Sequence, residues 1–190
     1  MPFATWWRGD AIPVLSPLPN LSIRRSTDAE CIAQLSHVPV ADIAHRFLTG
    51  DILYLAFVDD VPVAYGWTTT HTGHIHEFQL HFALPPENCY LYNFQTLPLW
   101  RGKGIYPRLL QFIIQQEPSP RFWIGYEPNN EASGRGITKA GFQSVCDLAF
   151  QQERVVGLLL YEENERAHVS SDVFHLPVVA SPSFTDQPER

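Results

Sequence analysis

Cysteine is scarce in this chain: Cys31, Cys89 and Cys146 are the only three in 190 residues. They are odd in number, far apart and without CxxC spacing, so neither a disulfide framework nor a zinc site is indicated. Long apolar runs are also missing. None approaches the roughly 18 to 20 residues that a membrane helix needs, and the opening stretch MPFATWWRGDAIPV lacks the basic-then-apolar order of a secretory signal. The expectation is a soluble cytoplasmic protein that does not engage a membrane. Positive charge is short as well, with 13 Lys and Arg against 20 Asp and Glu and a net charge of −7. That balance disfavours a nucleic-acid surface. No internal repeat is evident.

What the chain does have is apolar mass. Hydrophobic residues make up 45% of it and aromatics 13%, enough for one sizeable core. The elements read as α+β. NLSIRRS (20–26) is a first strand, TDAECIAQLSH a helix capped by Thr27 or Asp28, and ADIAHRFLTG a second helix ending at Gly50. A strand-rich middle comes next: ILYLAFV, PVAYGWTTT, HIHEFQLHFAL and CYLYNFQTL, joined by short turns and so antiparallel. Then come a helix over 105–116, the strand RFWIGYE, a helix through NEASGRGITKA, and a closing strand pair, GFQSVCDLAF and RVVGLLLY. The expected architecture is a mixed, mostly antiparallel central sheet of about seven strands flanked by helices. An N-terminal arm (1–19) precedes the domain (20–161), and an extended or partly disordered C-terminal extension (162–190) succeeds it. The aromatics of TWWRGD are read as packing that arm across the domain.

The charge is unevenly spread. Arg101, Lys103, Arg108, Arg121, Arg135 and Lys139 face only Glu117, Glu127 and Glu131 within residues 101–139, a local +3 that leaves −10 on the remainder. A basic island in an acidic chain suits a small polyanion. At its start stands LWRGKGIYPRLLQF (99–112), a glycine turn running into an apolar-periodic helix. Converging backbone N–H groups and the helix dipole make such a turn an anion site. Gly102 and Gly104 supply backbone freedom, and Arg101 and Lys103 add charge. No GK[ST] pair comes after the glycines, so it is not a P-loop, and the third glycine of a dinucleotide fingerprint is missing.

Together, in order and spacing, the segments RGKGIYPRLLQFII, FWIGYE and NNEASGRGITKAGF form a stretch that resembles the acetyl-CoA-binding half of the GNAT family of N-acetyltransferases. Of the signature Q/R-x-x-G-x-G/A, Arg101 and Gly104 match and Tyr106 departs; in the next helix Asn130, Ser133, Lys139, Gly141 and Phe142 match. The resemblance covers about residues 90–150. It implies a GNAT-like three-layer fold and transfer of acetyl from acetyl-CoA to a primary amine by direct attack, with no metal. The pyrophosphate would lie on the turn, Arg101, Gly102, Lys103, Gly104, Ile105 and Tyr106. Pantetheine would pair like a strand with Phe94, Gln95, Thr96 and Leu97, and a backbone N–H near Thr96 or Leu97 would polarise the thioester carbonyl. Asn130 and Ser133, at the start of the next helix, would touch the cofactor. Members of the family often dimerise, which extends the resemblance to a homodimer.

Proton transfer needs an acid for the thiolate and a base for the amine. The family often places a tyrosine seven residues after the asparagine as acid to the departing thiolate; here that position is Ile137, leaving Tyr106 and Tyr126 as substitutes. For the general base, Glu77 on a half-buried strand is the first candidate and Glu127 the second. Strand alternation would set Ile75, Glu77, Gln79 and His81 on one face and His74, His76, Phe78 and Leu80 on the other. Two alternatives stay open: a GNAT-like module that binds acyl-CoA or a partner without turnover, and a metal-binding, cupin-like protein using His74 and His76.

Overall fold

The computed structural model describes residues 1–180, leaving 181–190 of the expected C-terminal extension outside the described residues. Eight strands form the central sheet, not about seven. In chain order the elements are β1 (Pro2–Trp7), β2 (Leu21–Ser26), α1 (Ala29–Ser36), α2 (Val40–Leu48), β3 (Ile52–Val58), β4 (Val61–Thr69), β5 (Thr72–Ile75), β6 (Leu80–Ala83), β7 (Asn88–Thr96), α3 (Ile105–Gln116), β8 (Arg121–Gly125), α4 (Glu131–Ala140), β9 (Gln143–Gln151), β10 (Arg154–Leu160) and α5 (Glu165–Phe174). The central sheet runs β10-β9-β1-β8-β7-β4-β3-β2, with β5 and β6 as a separate hairpin. Pairing is antiparallel throughout except for β7 with β8, the parallel pair joined through α3.

Alternation divides the core between the two faces. Tyr54, Ala56, Leu91, Phe122 and Ile124 face α3 and α4. On the opposite face Leu53, Leu55 and Trp67 pack under α1 and α2, while Phe3, Tyr90 and Trp123 pack under α5 and the hairpin. That second face is thus covered by two separate groups of elements, and a cleft lies between them.

Three sequence expectations change here. Residues 1–19 are not all an arm laid across the domain: Pro2–Trp7 is inserted between β8 and β9, and only 8–19 cross it without regular structure, the Pro13 and Ser16 carbonyls accepting from Gln111 and Arg108 of α3. Phe3, Ala4 and Trp6 are buried on both sides of that strand, the pattern of a central strand. The segment 74–84 is not one strand: His76–Phe78 form a 3-10 turn closed by Gln79 in the left-handed region (φ 51°), so it folds back as β5 and β6. The expected face alternation fails with it. His74 lies opposite His81 across the hairpin, and its ring is 3.6 Å from the rings of both His76 and His81.

The third change concerns the segment from Glu162. It carries a helix, capped by Asn164, whose side chain accepts from the Ala167 N–H. Its composition is that of a polar tail, but Ala167, Ser170, Val173 and Phe174 form one buried stripe at helical spacing. Phe174 meets the rings of Phe3, Phe82, Tyr90 and Trp123 at centroid distances of 4.0 to 6.5 Å. Arg166 grips Asp10 with both terminal nitrogens (2.5 and 2.6 Å), and the chain beyond α5 adds a parallel bridge, Leu158 with Val178, at the β10 edge. Phe174→Ala should therefore lower stability by about 3–5 kcal/mol in urea denaturation. The Asp10 carboxyl is held below its ordinary value, chiefly by the Arg166 hydrogen bond. Its contribution to stability is complete above the unfolded-chain value near 3.8 and disappears as pH falls through the lower folded value.

Candidate active site

The site begins at an irregularity between β4 and β7. Tyr65 faces Gln95 and Trp67 faces Tyr92, so Asn93 and Phe94 together oppose the single residue Gly66. Asn93 takes a left-handed conformation (φ 52°), which identifies a bulge. Gly66 makes room for it: a Cβ there would lie 2.0 Å from the Phe94 ring. Pairing of β7 with β8 ends at Leu91 opposite Ile124, although β7 itself continues to Thr96. Past that point β7 has an open edge.

Of the two candidate backbone donors on that edge, one is already engaged. The Leu97 N–H donates to the Val63 carbonyl (2.9 Å). An antiparallel ladder alternates bonded and non-bonded pairs, so Thr96, next to Leu97, turns its N–H and C=O away from β4. Its carbonyl does accept from Arg101 Nε on the open side (3.1 Å). Thr96 thus keeps a free N–H on the open edge and Leu97 does not.

The glycine turn comes directly after. Gly104 caps α3 in the left-handed conformation (φ 74°), and a Cβ on it would lie 2.5 Å from an Arg108 guanidinium nitrogen. Arg108 also donates to the Gly104 and Ser16 carbonyls. A groove of about 490 Å³ runs from Phe94, Gln95 and Thr96 past Arg101, Gly102 and Gly104 to Asn130 and Ser133. Ile105 reaches it only from the core, its side chain being buried. Lys103 does not line it and sits 4.4 Å over the Trp100 ring. Arg135 and Lys139 of α4 do line it. Asn130 accepts from the Ser133 N–H (3.0 Å), as an N-cap does with or without a ligand.

A second, larger cleft of about 910 Å³ occupies the gap on the other face. Glu77, Tyr126 and Glu127 line it, with both carboxylates exposed. The two clefts share Phe94, Tyr106, Asn130 and Ser133. Tyr106 stands at this junction. Its ring is 5.6 Å from that of Phe94, its hydroxyl 3.3 Å from the Ser133 hydroxyl, and burial pushes its pKa well above the ordinary tyrosine value. Tyr126 is raised less strongly, first by burial and then by Asp147. Ile137 points into the core.

Residues that sequence reasoning passes over also line the larger cleft, notably Arg46, Asp51 and Tyr92. Tyr92 donates to Asp51 (2.6 Å). Arg46 and Asp51 flank the end of a helix whose pattern is that of an amphipathic packing element, and nothing local singles them out. Among the described residues no cluster of three His, Cys, Asp or Glu is arranged to hold a metal ion. No helix among them is long and apolar enough to cross a membrane.

No protein-family model and no curated protein sequence matches the chain. Solved structures do. An aminoglycoside N-acetyltransferase AAC(6')-Iy, solved with CoA, superposes with a TM-score of 0.54 at 16% identity over 70% of this chain and 99% of its own. A structure from Novosphingobium aromaticivorans assigned to the GNAT family reaches 0.52 at 17% identity, over 75% of this chain and 59% of its own. A protein described as a transcriptional regulator from Bacillus halodurans reaches 0.51 at 15% identity, over 70% of this chain and 99% of its own. The chain has the GNAT fold. A GNAT fold leaves activity open, since function resides in the site rather than in the scaffold.

Gly104→Ala should cost about 1–2 kcal/mol, because alanine tolerates the left-handed conformation poorly and would also press on Arg108. A melting temperature lowered by several degrees, with unchanged far-UV circular dichroism, is the expected result.

Proposed function

We propose that the chain is an acyl-CoA-dependent N-acyltransferase that moves acetyl from acetyl-CoA to a primary amine by direct attack. The observation that carries this reading is the junction: a groove with an open strand edge and a basic glycine turn meets a separate cleft at Phe94, Tyr106, Asn130 and Ser133. Two substrates entering from opposite faces would meet there.

Each residue then has a task. The N–H groups of the turn at 102–106, with Arg101, hold the pyrophosphate; Pro107 contributes no donor. The edge of Phe94–Thr96 satisfies the amides of pantetheine as it would those of a strand. The Thr96 N–H stabilises negative charge developing on the thioester oxygen. The amine nitrogen forms its bond to the carbonyl carbon as the carbon–sulfur bond breaks, and the nitrogen's proton passes through water to Glu77 or Glu127. Tyr106 takes the place that Ile137 cannot fill. Its hydroxyl is protonated at neutral pH, as any tyrosine's is; burial pushes the pKa further up, so the group acts by donating a hydrogen bond to the departing sulfur, which then takes its proton through water.

Glu77 and Glu127 are exposed rather than buried, and this favours a second reading, a domain that binds acyl-CoA without turnover. Thiol release across an amine panel separates the two readings. Arg101→Glu combined with Gly104→Asp should abolish CoA binding in calorimetry, and undiminished affinity would remove the site assignment. Tyr106→Phe should lower kcat by about 10²-fold while leaving KM for acetyl-CoA unchanged. An unaltered kcat would exclude the tyrosine as acid.

A further inference from the structure

The larger cleft carries an unusual pair of opposite charges at the end of α2. The helix closes with the two hydrogen bonds of a Schellman motif: Gly50 N–H to Phe47 C=O (3.1 Å) and Asp51 N–H to Arg46 C=O (3.0 Å). Gly50 takes the left-handed conformation this needs (φ 89°). Arg46 and Asp51 are therefore fixed relative to one another by a local backbone lock, and both line the cleft.

They do not neutralise each other. None of the ion pairs among the described residues involves Arg46. Its guanidinium lies 5.2 Å from the Trp67 ring and 5.7 Å from the Tyr92 ring. Its Nη1 is buried and, among the described residues, has no hydrogen-bond partner. That buried nitrogen is out of a ligand's reach, so an anion in the cleft would be met by the rest of the guanidinium, whose planar fork offers five N–H donors in all. Asp51 takes the Tyr92 hydroxyl on Oδ2. Tyr92 thus separates a cation on its ring face from an anion at its tip. Of the other titratable groups on this stretch of the wall, His45 and His71 are exposed.

One positive and one negative group, on the face and at the tip of the Tyr92 side chain, are the charges that complement the head of an α-amino acid. We propose that the acceptor is a free α-amino acid with a second, terminal amine. Arg46 holds its carboxylate, Asp51 its α-ammonium, and the side-chain amine is the one acylated. Length supports this choice. Arg46 and Asp51 sit at Tyr92, whereas the junction begins at Phe94, two residues farther along β7 and past the bulge at Asn93. An α-amine held at Arg46 and Asp51 would stop short of the junction, so the amine presented there is one carried at the end of the side chain. The proposal rests on the N-acyltransferase reading for its chemistry but not for its binding geometry.

The test uses calorimetry on the full chain, with and without CoA, and three probes: L-lysine, cadaverine (no carboxylate) and 6-aminohexanoate (no α-amine). L-lysine should bind about 10- to 100-fold more tightly than either of the others, the effect of one charge-assisted contact. Arg46→Gln should erase its advantage over cadaverine while leaving cadaverine binding unchanged, Arg46→Lys should retain part of that advantage, and Asp51→Asn should erase the advantage over 6-aminohexanoate. Equal binding of the three probes, absence of lysine binding, or variants that weaken all probes alike would overturn the proposal. Thiol release from acetyl-CoA is read in parallel. Head-group discrimination without release from any amine removes the acyltransferase reading and keeps the amino-acid site; release from cadaverine as fast as from lysine does the reverse.

Discussion

The end of β7–β8 pairing is the constraint on which the site depends. A parallel pair that stayed hydrogen-bonded to its end would leave no strand edge and no passage between the faces. Pairing stops at Leu91 and Ile124, directly before the bulge that Gly66 accommodates. From there β7 stays anchored to β4 through the Leu97–Val63 bond, so the edge at Thr96 is open without being loose. That combination of a rigid backbone with an outward-facing N–H is what a strand-like ligand requires.

The two clefts differ in how the chain builds them. The glycine-turn groove comes from one contiguous stretch, 94–139. The larger cleft is assembled from α2, the β5–β6 hairpin, β7 and β8, and the parts that hold its hairpin come from both chain ends. Phe174 touches Phe3 and Phe82 together, and His175 Nε2 lies 2.7 Å from the Ala83 carbonyl. The groove is thus mainly a product of local connectivity and the cleft of global folding. A chain lacking α5 would keep the turn but lose the packing that positions the hairpin.

This division also explains how much of the molecule is legible in its sequence. The helix at 105–116, the Asn130 cap and the glycine turn are local features with fixed spacing, and the structure has them where the pattern places them. Pro2–Trp7 is hidden because a central strand is apolar on both faces and shows no alternation, so its aromatics resemble an arm. The helix Glu165–Phe174 is hidden because only one stripe of a polar segment is buried. At 74–84 a single residue of left-handed backbone, Gln79, turns one strand into two. Arg46 and Asp51 cannot be recognised at all, since their meaning comes from Trp67 and Tyr92, which are distant in sequence.

The position of Tyr106 couples the two functions proposed for the groove. A tyrosine at position 137 would stand on α4; Tyr106 stands in the first turn of α3, next to the N–H groups that would meet a phosphate. Its ring is fixed against Phe94 and its hydroxyl against Ser133. The same helical turn therefore carries both the candidate phosphate donors and the hydroxyl at the junction. In the proposed mechanism the turn that seats the pyrophosphate also places the acid, and a truncated thioester without the nucleotide would lose rate as well as affinity.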